Sequence, residues 1–375
     1  MFGKILRVLK REPMLTVASL AAAVSLFITP PSEKLLHDID WRTLGTLFMM
    51  LAVLEGFKRE RVLSPIVALA GRFRRMTSVT LFLVFGVFFT SMFVTNDVSL
   101  IIFVPLTIAI FRAGGREKYI LPVITFENIA AIRGSLLVPF GSPQNLFLYG
   151  KSGISIGDFL RLMLPMSLMS AALLVVFIFF LYRKDLREEL EESKDTKEEP
   201  SGKKRYFYLA LFAGVVATIV TRFAFWYFAL AALVVLLLVF DRRVFLKVDY
   251  VLLLTFLCFF VFSSSVASSG AISSLLRRAV SGNEYWWAIG ISQVISNVPA
   301  TIVLWPFSTN FAGLIYGADT AGLVSVIGSL ASVINYRIYV REYPGQGGKF
   351  IKYFTLISLA FFALVVVPGY LLSLA

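Results

Sequence analysis

The chain has 375 residues, of which 58% are hydrophobic, and its net charge is +13. A soluble domain is about 45–50% apolar, so this composition excludes a soluble globular protein and indicates a polytopic membrane protein. The excess lysine and arginine residues lie in short loops between apolar segments, which is typical of membrane topology and not of a nucleic-acid-binding domain. One cysteine and one histidine exclude a disulfide framework, a cysteine- or histidine-based zinc site and Ser-His-Asp hydrolysis.

The first apolar segment, residues 14–28, follows a basic N-terminal cluster. No small-residue cleavage site ends this run, so we interpret it as a first membrane helix and not as a secretory signal. The basic cluster places the N-terminus on the cytoplasmic side. A second helix at 41–57 returns to that side, and residues 60–76, which are short and basic, predict an interfacial helix.

Residues 77–111 carry a polar triplet at 95–97 and basic residues at both flanks. Two basic flanks place both ends in the cytoplasm, so this stretch predicts a re-entrant hairpin with the triplet at its tip. Such backbone is tolerated at membrane depth only where it faces protein or a wet cavity. Residues 119–150 then predict a helix broken at 141–145, because glycine and proline interrupt the helix there.

A span at 159–182 leads to a segment with many charges of both signs, 183–205, which predicts a flexible cytoplasmic linker. The second half has the same order of elements as the first. Its predicted elements are three spans at 206–221, 223–240 and 248–267, an interfacial helix at 272–282, a hairpin at 284–307, a broken helix at 312–340 and a closing span at 350–372.

Two halves, 1–182 and 206–375, therefore show the order spanning helix, interfacial helix, hairpin, broken helix, spanning helix. The linker and one extra span place the second copy in the opposite orientation, which is the inverted-repeat pattern of secondary transporters. The sequence predicts an all-α polytopic protein of the inner (plasma) membrane with about nine spans plus two hairpins. Its N-terminus is expected in the cytoplasm and its C-terminus outside.

The hairpin tips and helix breaks form a candidate binding site. At such points free N–H groups favour an anion and free C=O groups favour a small cation. The predicted substrate-binding residues are Thr95, Asn96, Ser142, Pro143, Asn145, Ser296, Asn297, Thr301 and Ser329. The predicted cation-coupling residues are Asn96, Asp97, Gly141, Asn297 and Gly328. Na⁺ or H⁺ is expected as the coupling ion, with no other metal and no cofactor.

Each of these residues also has a purely structural interpretation. A tip asparagine can cap a turn, hydroxyls such as that of Thr301 often bond back to their own helix, and a break can serve packing alone. Asp97 could be a paired structural carboxylate, although an acid at membrane depth is a functional candidate for binding sodium or a proton. Val298 stands at its counterpart position, so cation coupling should be asymmetric. Glu127 and Arg133 precede the first break, where Arg133 could meet an anion.

These motifs resemble those of the ion transporter superfamily, which contains divalent anion/sodium symporters, citrate transporters, arsenite permeases and some sodium/proton antiporters. Residues 95–97 and 296–298 are similar to the Ser-Asn-Thr hairpin tips of the symporters, and 141–145 to their Gly-Thr-Pro-Pro-Asn-like break. Residues 128–135 resemble a bacterial branch of anion permeases. The resemblance covers most of the chain. It implies a scaffold and a transport domain, a homodimer and an elevator mechanism.

We therefore expect a secondary transporter that couples a small anion, either a di- or tricarboxylate or an inorganic oxyanion, to Na⁺ or H⁺. Asn96 followed by Asp97 is closer to the arsenite and antiporter branches, so arsenite efflux and sodium/proton exchange stay open as alternatives. An intramembrane aspartyl protease would need a second carboxylate beside Asp97, and a channel would not need matched hairpins. The expected partners are the anion, the bilayer and a second copy of the chain, without nucleic acid.

Overall fold

The computed structural model describes residues 12–30, 33–184 and 202–374. Within these ranges the chain is helical and forms no strand. Five helices are long and apolar enough to cross a membrane: Met76–Val94, Asn96–Ala113, Ile156–Leu181, Tyr250–Ser268 and Gly347–Leu372. An all-α protein with several membrane-spanning segments is thereby confirmed, whereas the span count near nine stays a prediction. The basic N-terminal cluster and most of the predicted linker lie outside the described residues.

The helices of the first half follow the predicted order. They are α1 (Pro13–Ile28), α2 (Glu33–Asp38), α3 (Trp41–Arg59), α4 (Ser64–Ala68), α5 (Met76–Val94), α6 (Asn96–Ala113), α7 (Ile120–Gly134), α8 (Pro143–Ser152) and α9 (Ile156–Leu181). Asp40 caps α3 by accepting a hydrogen bond from the backbone N of Thr43 at 2.9 Å, as short polar side chains do at helix starts. The predicted interfacial helix at 60–76 is only the short α4 plus a 3₁₀ turn, Leu69–Arg72, because Pro65 lies in its first turn.

The helices of the second half begin after the undescribed segment. They are α10 (Arg205–Val220), α11 (Trp226–Asp241), α12 (Tyr250–Ser268), α13 (Gly270–Val280), α14 (Glu284–Ile295), α15 (Asn297–Leu304), α16 (Phe311–Ala321), α17 (Leu330–Glu342) and α18 (Gly347–Leu372). Short 3₁₀ turns precede α7 and follow α11 and α15.

Helices α7 and α16 form the centre of the structure. Every residue of α7 is buried, and α16 is buried from Gly313 to its end. Helices α5, α6, α9, α17 and α18 pack against α7, and α8, α14, α15 and α18 pack against α16. The outer helices α9, α11 and α18 expose many large apolar side chains. This exposure fits helices that face lipid, where apolar surface is not penalised.

Ion pairs between distant segments lie at two ends of the bundle. Arg112 pairs with Glu342 at 3.3 Å and joins the ends of α6 and α17. Lys151 pairs with Asp40 at 3.2 Å and joins the end of α8 to the start of α3. The sequence assigns the first end to the cytoplasm and the second to the exterior, and this orientation stays a prediction.

Two glycines allow central helices to approach their neighbours closely. A Cβ atom on Gly134 would lie 2.0 Å from the carbonyl O of Phe88 in α5. A Cβ atom on Gly317 of α16 would lie 2.4 Å from the carbonyl O of Tyr285 in α14. The α5–α7 and α14–α16 contacts therefore use the same device, in which a missing side chain admits a neighbouring backbone.

We expect Gly134→Ala to lower the stability of the folded protein. Alanine is normally about 1 kcal/mol better than glycine inside a helix, but here the added methyl group meets backbone, and overpacking of this kind costs about 1–3 kcal/mol or more. Gly214→Ala in α10 is the matched control, since its Cβ would meet nothing within 4 Å. Thermal unfolding in one detergent compares the two variants; equal melting temperatures would contradict the close approach.

Candidate functional site

Two pairs of helices are each joined through a single residue in an unusual conformation. Thr95 links α5 to α6 with φ 68° and ψ 156°, and Ser296 links α14 to α15 with φ 67° and ψ 161°. This backbone region is essentially restricted to glycine, and other residues there carry strain of about 1–3 kcal/mol. We call residues 95–97 and 296–298 the first and second tip. The two tips share one strained geometry.

The central helices each stop and restart after a gap of the same length. The first gap, residues 135–142, separates α7 from α8, and the second gap, residues 322–329, separates α16 from α17. Both gaps contain the same pair of backbone turns. The hydrogen bonds of these turns run from Leu137 N to Gly134 O, Gly141 N to Val138 O, Val324 N to Ala321 O and Gly328 N to Ser325 O.

The last two residues of each gap also match. Ser142 has φ −146° and ψ 151°, and Ser329 has φ −146° and ψ 140°. A Cβ atom on Gly141 would lie 2.3 Å from the carbonyl O of Ser135, and one on Gly328 would lie 2.5 Å from the carbonyl O of Ala321. The glycine before each serine is therefore required by the tight fold of its gap, with or without a following proline.

The second tip binds directly to the second gap. The backbone N of Asn297 donates to the carbonyl O of Gly328 at 3.2 Å, and its side-chain Nδ2 donates to the carbonyl O of Ala318 at 3.3 Å. Asn297 is 2% exposed. Ser296 is buried too, and its Oγ lies 3.5 Å from Oδ1 of Asn297.

The first tip is also buried, but its side chains form fewer hydrogen bonds to other helices and gaps. Asn96 is 6% exposed, and its Oδ1 accepts a hydrogen bond from the backbone N of Asp97 at 2.9 Å. The Asp97 side chain is half-buried, and its Oδ1 is shielded from solvent without a hydrogen-bond partner in the described part of the chain. An unpaired carboxylate oxygen at a buried tip is a free ligand position.

The other predicted residues lie in or beside the gaps. Asn145 is fully buried and donates across the first gap to the carbonyl O of Leu136 at 3.3 Å. Ser142 and Ser329 are each 1% exposed, and Pro143 is the half-buried first residue of α8.

Thr301 is buried in α15, but its hydroxyl donates to its own helix, at the carbonyl O of Val298, at 2.7 Å. It has the structural role that hydroxyls often take in helices.

A buried polar network joins the two halves behind the tips. Asp319 of α16 is 1% exposed, and its Oδ1 accepts a hydrogen bond from Nε2 of Gln144 at 3.0 Å. Arg133 is fully buried; its Nε donates to Oγ of Ser170 at 2.9 Å and its Nη1 donates to the carbonyl O of Asp319 at 3.2 Å. Among the described residues, Oδ2 of Asp319 and Nη2 of Arg133 have no hydrogen-bond partner. Arg133 and Asp319 carry opposite charges, but the hydrogen bond between them goes to the main-chain carbonyl and not to the carboxylate.

Sequence reasoning missed Asp319 and Gln293 as candidate site residues. Asp319 lies inside an apolar segment, so the rule that singled out Asp97 would also have found it. Gln293 of α14 donates to the carbonyl O of Ala321 at 3.1 Å and accepts from Oγ of Ser325 at 2.7 Å. It connects α14 to the second gap, and no local signal in the sequence marks this contact.

We expect Ser296→Gly to raise the melting temperature of the protein. Glycine removes the backbone strain of about 1–3 kcal/mol at this conformation. Greater backbone freedom in the unfolded chain offsets about 0.5–1 kcal/mol of this stabilisation. Ser296→Ala keeps the strain and is the control. Thermal unfolding of both variants in detergent tests the backbone geometry, and a lower melting temperature for the glycine variant would contradict it.

Comparisons with known proteins match the sequence of this chain to a family. The sequence pattern of the citrate transporter family matches residues 5–331, which include both tips and both gaps. A protein described as an uncharacterized transporter of Methanocaldococcus jannaschii is 29% identical over 314 residues, 84% of this chain and 85% of its own. The inner membrane protein YbiR of Escherichia coli strain K12 is 30% identical over 325 residues, 84% of each chain.

The resemblance to the ion transporter superfamily is confirmed by these matches. So are the expectations that the protein is a multi-pass membrane transporter and that it is not an enzyme. The family pattern covers most of the chain, and the chain therefore belongs to the citrate transporter family (CitMHS).

Proposed function

We propose that the protein is a secondary transporter that couples the movement of a small anion across the membrane to Na⁺ or H⁺. The observation that carries this proposal is the duplicated pair of tip and gap, with the same backbone at Thr95 and Ser296 and the same turns in both gaps. Secondary transporters build their sites from discontinuous helices of two repeats in this manner.

We propose inverted repeats in residues 1–182 and 206–375, with re-entrant hairpins at 77–111 and 284–307. In support, the second hairpin has arms of 12 and 8 residues, about 18 and 12 Å long, too short to cross about 30 Å of hydrocarbon. The arms of the first hairpin, 19 and 18 residues, are about 28 Å long. They fit a re-entrant hairpin if they begin outside the hydrocarbon core.

The depth of the first tip supports its convergence with the second gap. Helices α6 and α17 pack together and end at the same place, where Arg112 pairs with Glu342 at 3.3 Å. At about 1.5 Å per residue, Asn96 lies about 24 Å from that end and Leu330 about 18 Å. Measured from that shared end, the first tip therefore lies about one helical turn farther away than the start of α17 at the second gap.

The second tip and the first gap follow the same relation. Helices α8 and α15 pack together, and the rings of Phe147 and Trp305 are 6.3 Å apart. Counting back from these rings, Pro143 lies about 6 Å away and Asn297 about 12 Å. The second tip therefore lies about one helical turn farther from the rings than the start of α8 at the first gap. Both tips and both gaps are accordingly expected at one depth.

This convergence supports an anion as the substrate. Helices α6, α8, α15 and α17 all begin at a tip or a gap, so four helix N-termini are expected at the site, and helix N-termini favour negative charge. The buried Arg133 donates to Ser170 and to the main-chain carbonyl of Asp319, so the dipoles and the amides of Asn96 and Asn297 would hold the anion. The family description makes citrate the first anion to test.

The coupling cation is assigned to the carbonyl-rich side of the same site. Helices α5, α7, α14 and α16 end there, and helix C-termini favour cations. The free Oδ1 of Asp97 adds a ligand at the first tip only. From the resemblance to the superfamily, we further propose a homodimer in which the loaded domain moves as an elevator. Sodium/proton exchange is the second candidate, because Asp97 alone could serve both cations.

Transport by the purified protein in liposomes tests the function. We expect saturable uptake of labelled citrate that is accelerated by unlabelled citrate inside and by an imposed sodium or proton gradient. Asn297→Ala should weaken citrate binding about tenfold to hundredfold, since a hydrogen bond to a charged group contributes about 1.5–3 kcal/mol. The exposed Asn283→Ala in the loop before α14 is the matched control. Flux that does not saturate, or that ignores both gradients, would contradict a coupled carrier; arsenite or cation fluxes without anion uptake would favour the alternatives.

A further inference from the structure

Glu127 is a buried acid that the site described above does not use. It lies in the middle of α7 and is fully buried. Its Oε1 accepts a hydrogen bond from Oγ1 of Thr107 in α6 at 2.5 Å. Its Oε2 is shielded from solvent and has no hydrogen-bond partner within the described ranges.

No cation compensates Glu127 in the described part of the chain. The helices packed against α7 are α5, α6, α9, α17 and α18, and α5 has no charged residue. No hydrogen bond or ion pair joins Glu127 to the charged residues of the others or to Arg133 on its own helix. The titratable groups on these packed helices and on the 3₁₀ turn that packs before α7 are Asp97, Arg112, Glu117, Lys118, Tyr119, Asp158, Arg161, Tyr336, Arg337, Tyr339, Arg341, Glu342, Lys349, Lys352, Tyr353 and Tyr370.

Two asparagines at the contact between α7 and α17 also have side-chain oxygens to which no described residue donates a hydrogen bond. Nδ2 of Asn128 donates to Oγ of Ser332 in α17 at 3.0 Å, and Nδ2 of Asn335 donates to the carbonyl O of Ile124 at 2.6 Å. The Oδ1 atoms of both asparagines are buried without a partner among the described residues, like Oε2 of Glu127. This contact therefore has more acceptor oxygens than donors.

A proton on Glu127 would remove its uncompensated charge. An ionised carboxylate without a partner is costly in a dry interior, whereas a carboxylic acid is neutral and adds one O–H donor. Such groups inside membrane proteins commonly mark proton pathways. The position suits coupling, because Thr107 belongs to the helix that begins at the first tip, and Ser332 lies one turn after the second gap.

We propose that Glu127 is a proton-binding site of the transport cycle and that H⁺ is therefore a coupling ion. The carboxylate takes up a proton from water on one side and becomes a carboxylic acid while it is buried in α7 against Thr107 of α6. It returns the proton to water on the other side when α7 separates from its neighbours. The coupling part of this inference rests on the proposed transport function; the protonation of Glu127 does not.

Infrared spectroscopy of the purified protein in lipid tests the protonation without any substrate. The expected result is a carboxylic-acid C=O band at neutral pH that is absent from Glu127→Gln and present in Glu117→Gln, whose side chain is exposed. Glutamine imitates the neutral acid, so the variant should fold. Should it not, Glu127→Asp must shift the band instead of removing it. A wild-type spectrum without the band, or a band that survives in Glu127→Gln, overturns the proposal.

Labelled citrate uptake in liposomes tests the coupling. An inward gradient of one pH unit is expected to raise accumulation by about tenfold per coupled proton in the wild type and in Glu117→Gln. Glu127→Gln is expected to keep citrate–citrate exchange and to lose the response to pH. Proton-driven accumulation that persists in Glu127→Gln overturns the inference, as does accumulation driven by sodium alone. If the wild type shows no exchange of citrate or other anions, the proposed function fails, and the infrared result decides the protonation of Glu127 independently.

Discussion

Replacing Arg133 with methionine is expected to destabilise the folded protein by about 1.5–3 kcal/mol, because it removes a buried guanidinium that donates to the carbonyl O of Asp319 and whose charge acts on the Asp319 carboxylate. Asp319 is 1% exposed, and its nearest hydrogen-bond donor, Gln144, is neutral. The substitution also removes the hydrogen bond that the guanidinium Nε of Arg133 donates to Oγ of Ser170 at 2.9 Å. We expect the variant to unfold at lower temperature and at lower denaturant concentration.

A second substitution should recover much of this loss. Asp319→Asn keeps an oxygen that can accept from Gln144 and removes the unpaired charge, so Arg133→Met combined with Asp319→Asn is expected to be more stable than Arg133→Met alone. The four proteins form a double-mutant cycle, in which contacting residues couple by about 0.5–3 kcal/mol.

Equilibrium unfolding in mixed detergent micelles measures the cycle. Arg161→Met is the control, because the Arg161 side chain is 87% exposed and its ion pair with Asp158 lies at the surface, where such pairs contribute about 0–1 kcal/mol. Strictly additive effects of Arg133→Met and Asp319→Asn would show that the two side chains do not compensate each other.

Asp97→Asn is expected to remove the response of anion transport to the coupling cation while leaving the fold intact. Asparagine has nearly the same shape, and the Oδ1 atom of Asp97 has no hydrogen-bond partner to lose in the described part of the chain. The charge itself is what a cation at the first tip would require. We expect a sodium gradient that accelerates wild-type uptake to have about no effect on this variant, whereas exchange of labelled for unlabelled anion persists.

The matched control is Asp158→Asn, an exposed acid that also lies in the first turn of its helix. Uptake is measured in liposomes at several sodium concentrations and several pH values, with the amount of inserted protein held equal. An Asp97→Asn variant that keeps the wild-type cation dependence would remove Asp97 from the coupling site. An Asp158→Asn variant that loses it would show that the effect is not specific to the tip.

Much of the helical order follows from the sequence, because hydrophobic length and chain breakers act locally. Apolar runs separated by basic loops predict membrane helices, and the starts of α6 at Asn96 and α15 at Asn297 coincide with the polar triplets. The first gap is marked by Gly141 and Pro143, which cannot continue a helix without loss of a hydrogen bond or a close contact. The resemblance to the ion transporter superfamily came from these same positions.

Only the tertiary structure could show that the second gap, which lacks a proline, has the same turns and the same extended serine as the first. It also decided the partners of Arg133, whose role the sequence left open and which bonds to the carbonyl O of Asp319, 186 residues away. Likewise, the isolation of Glu127 depends on which faces of α6, α9, α17 and α18 meet α7. The physical reason is that composition and periodicity report the environment of one helix, whereas pairing between distant helices depends on how all of them pack at once.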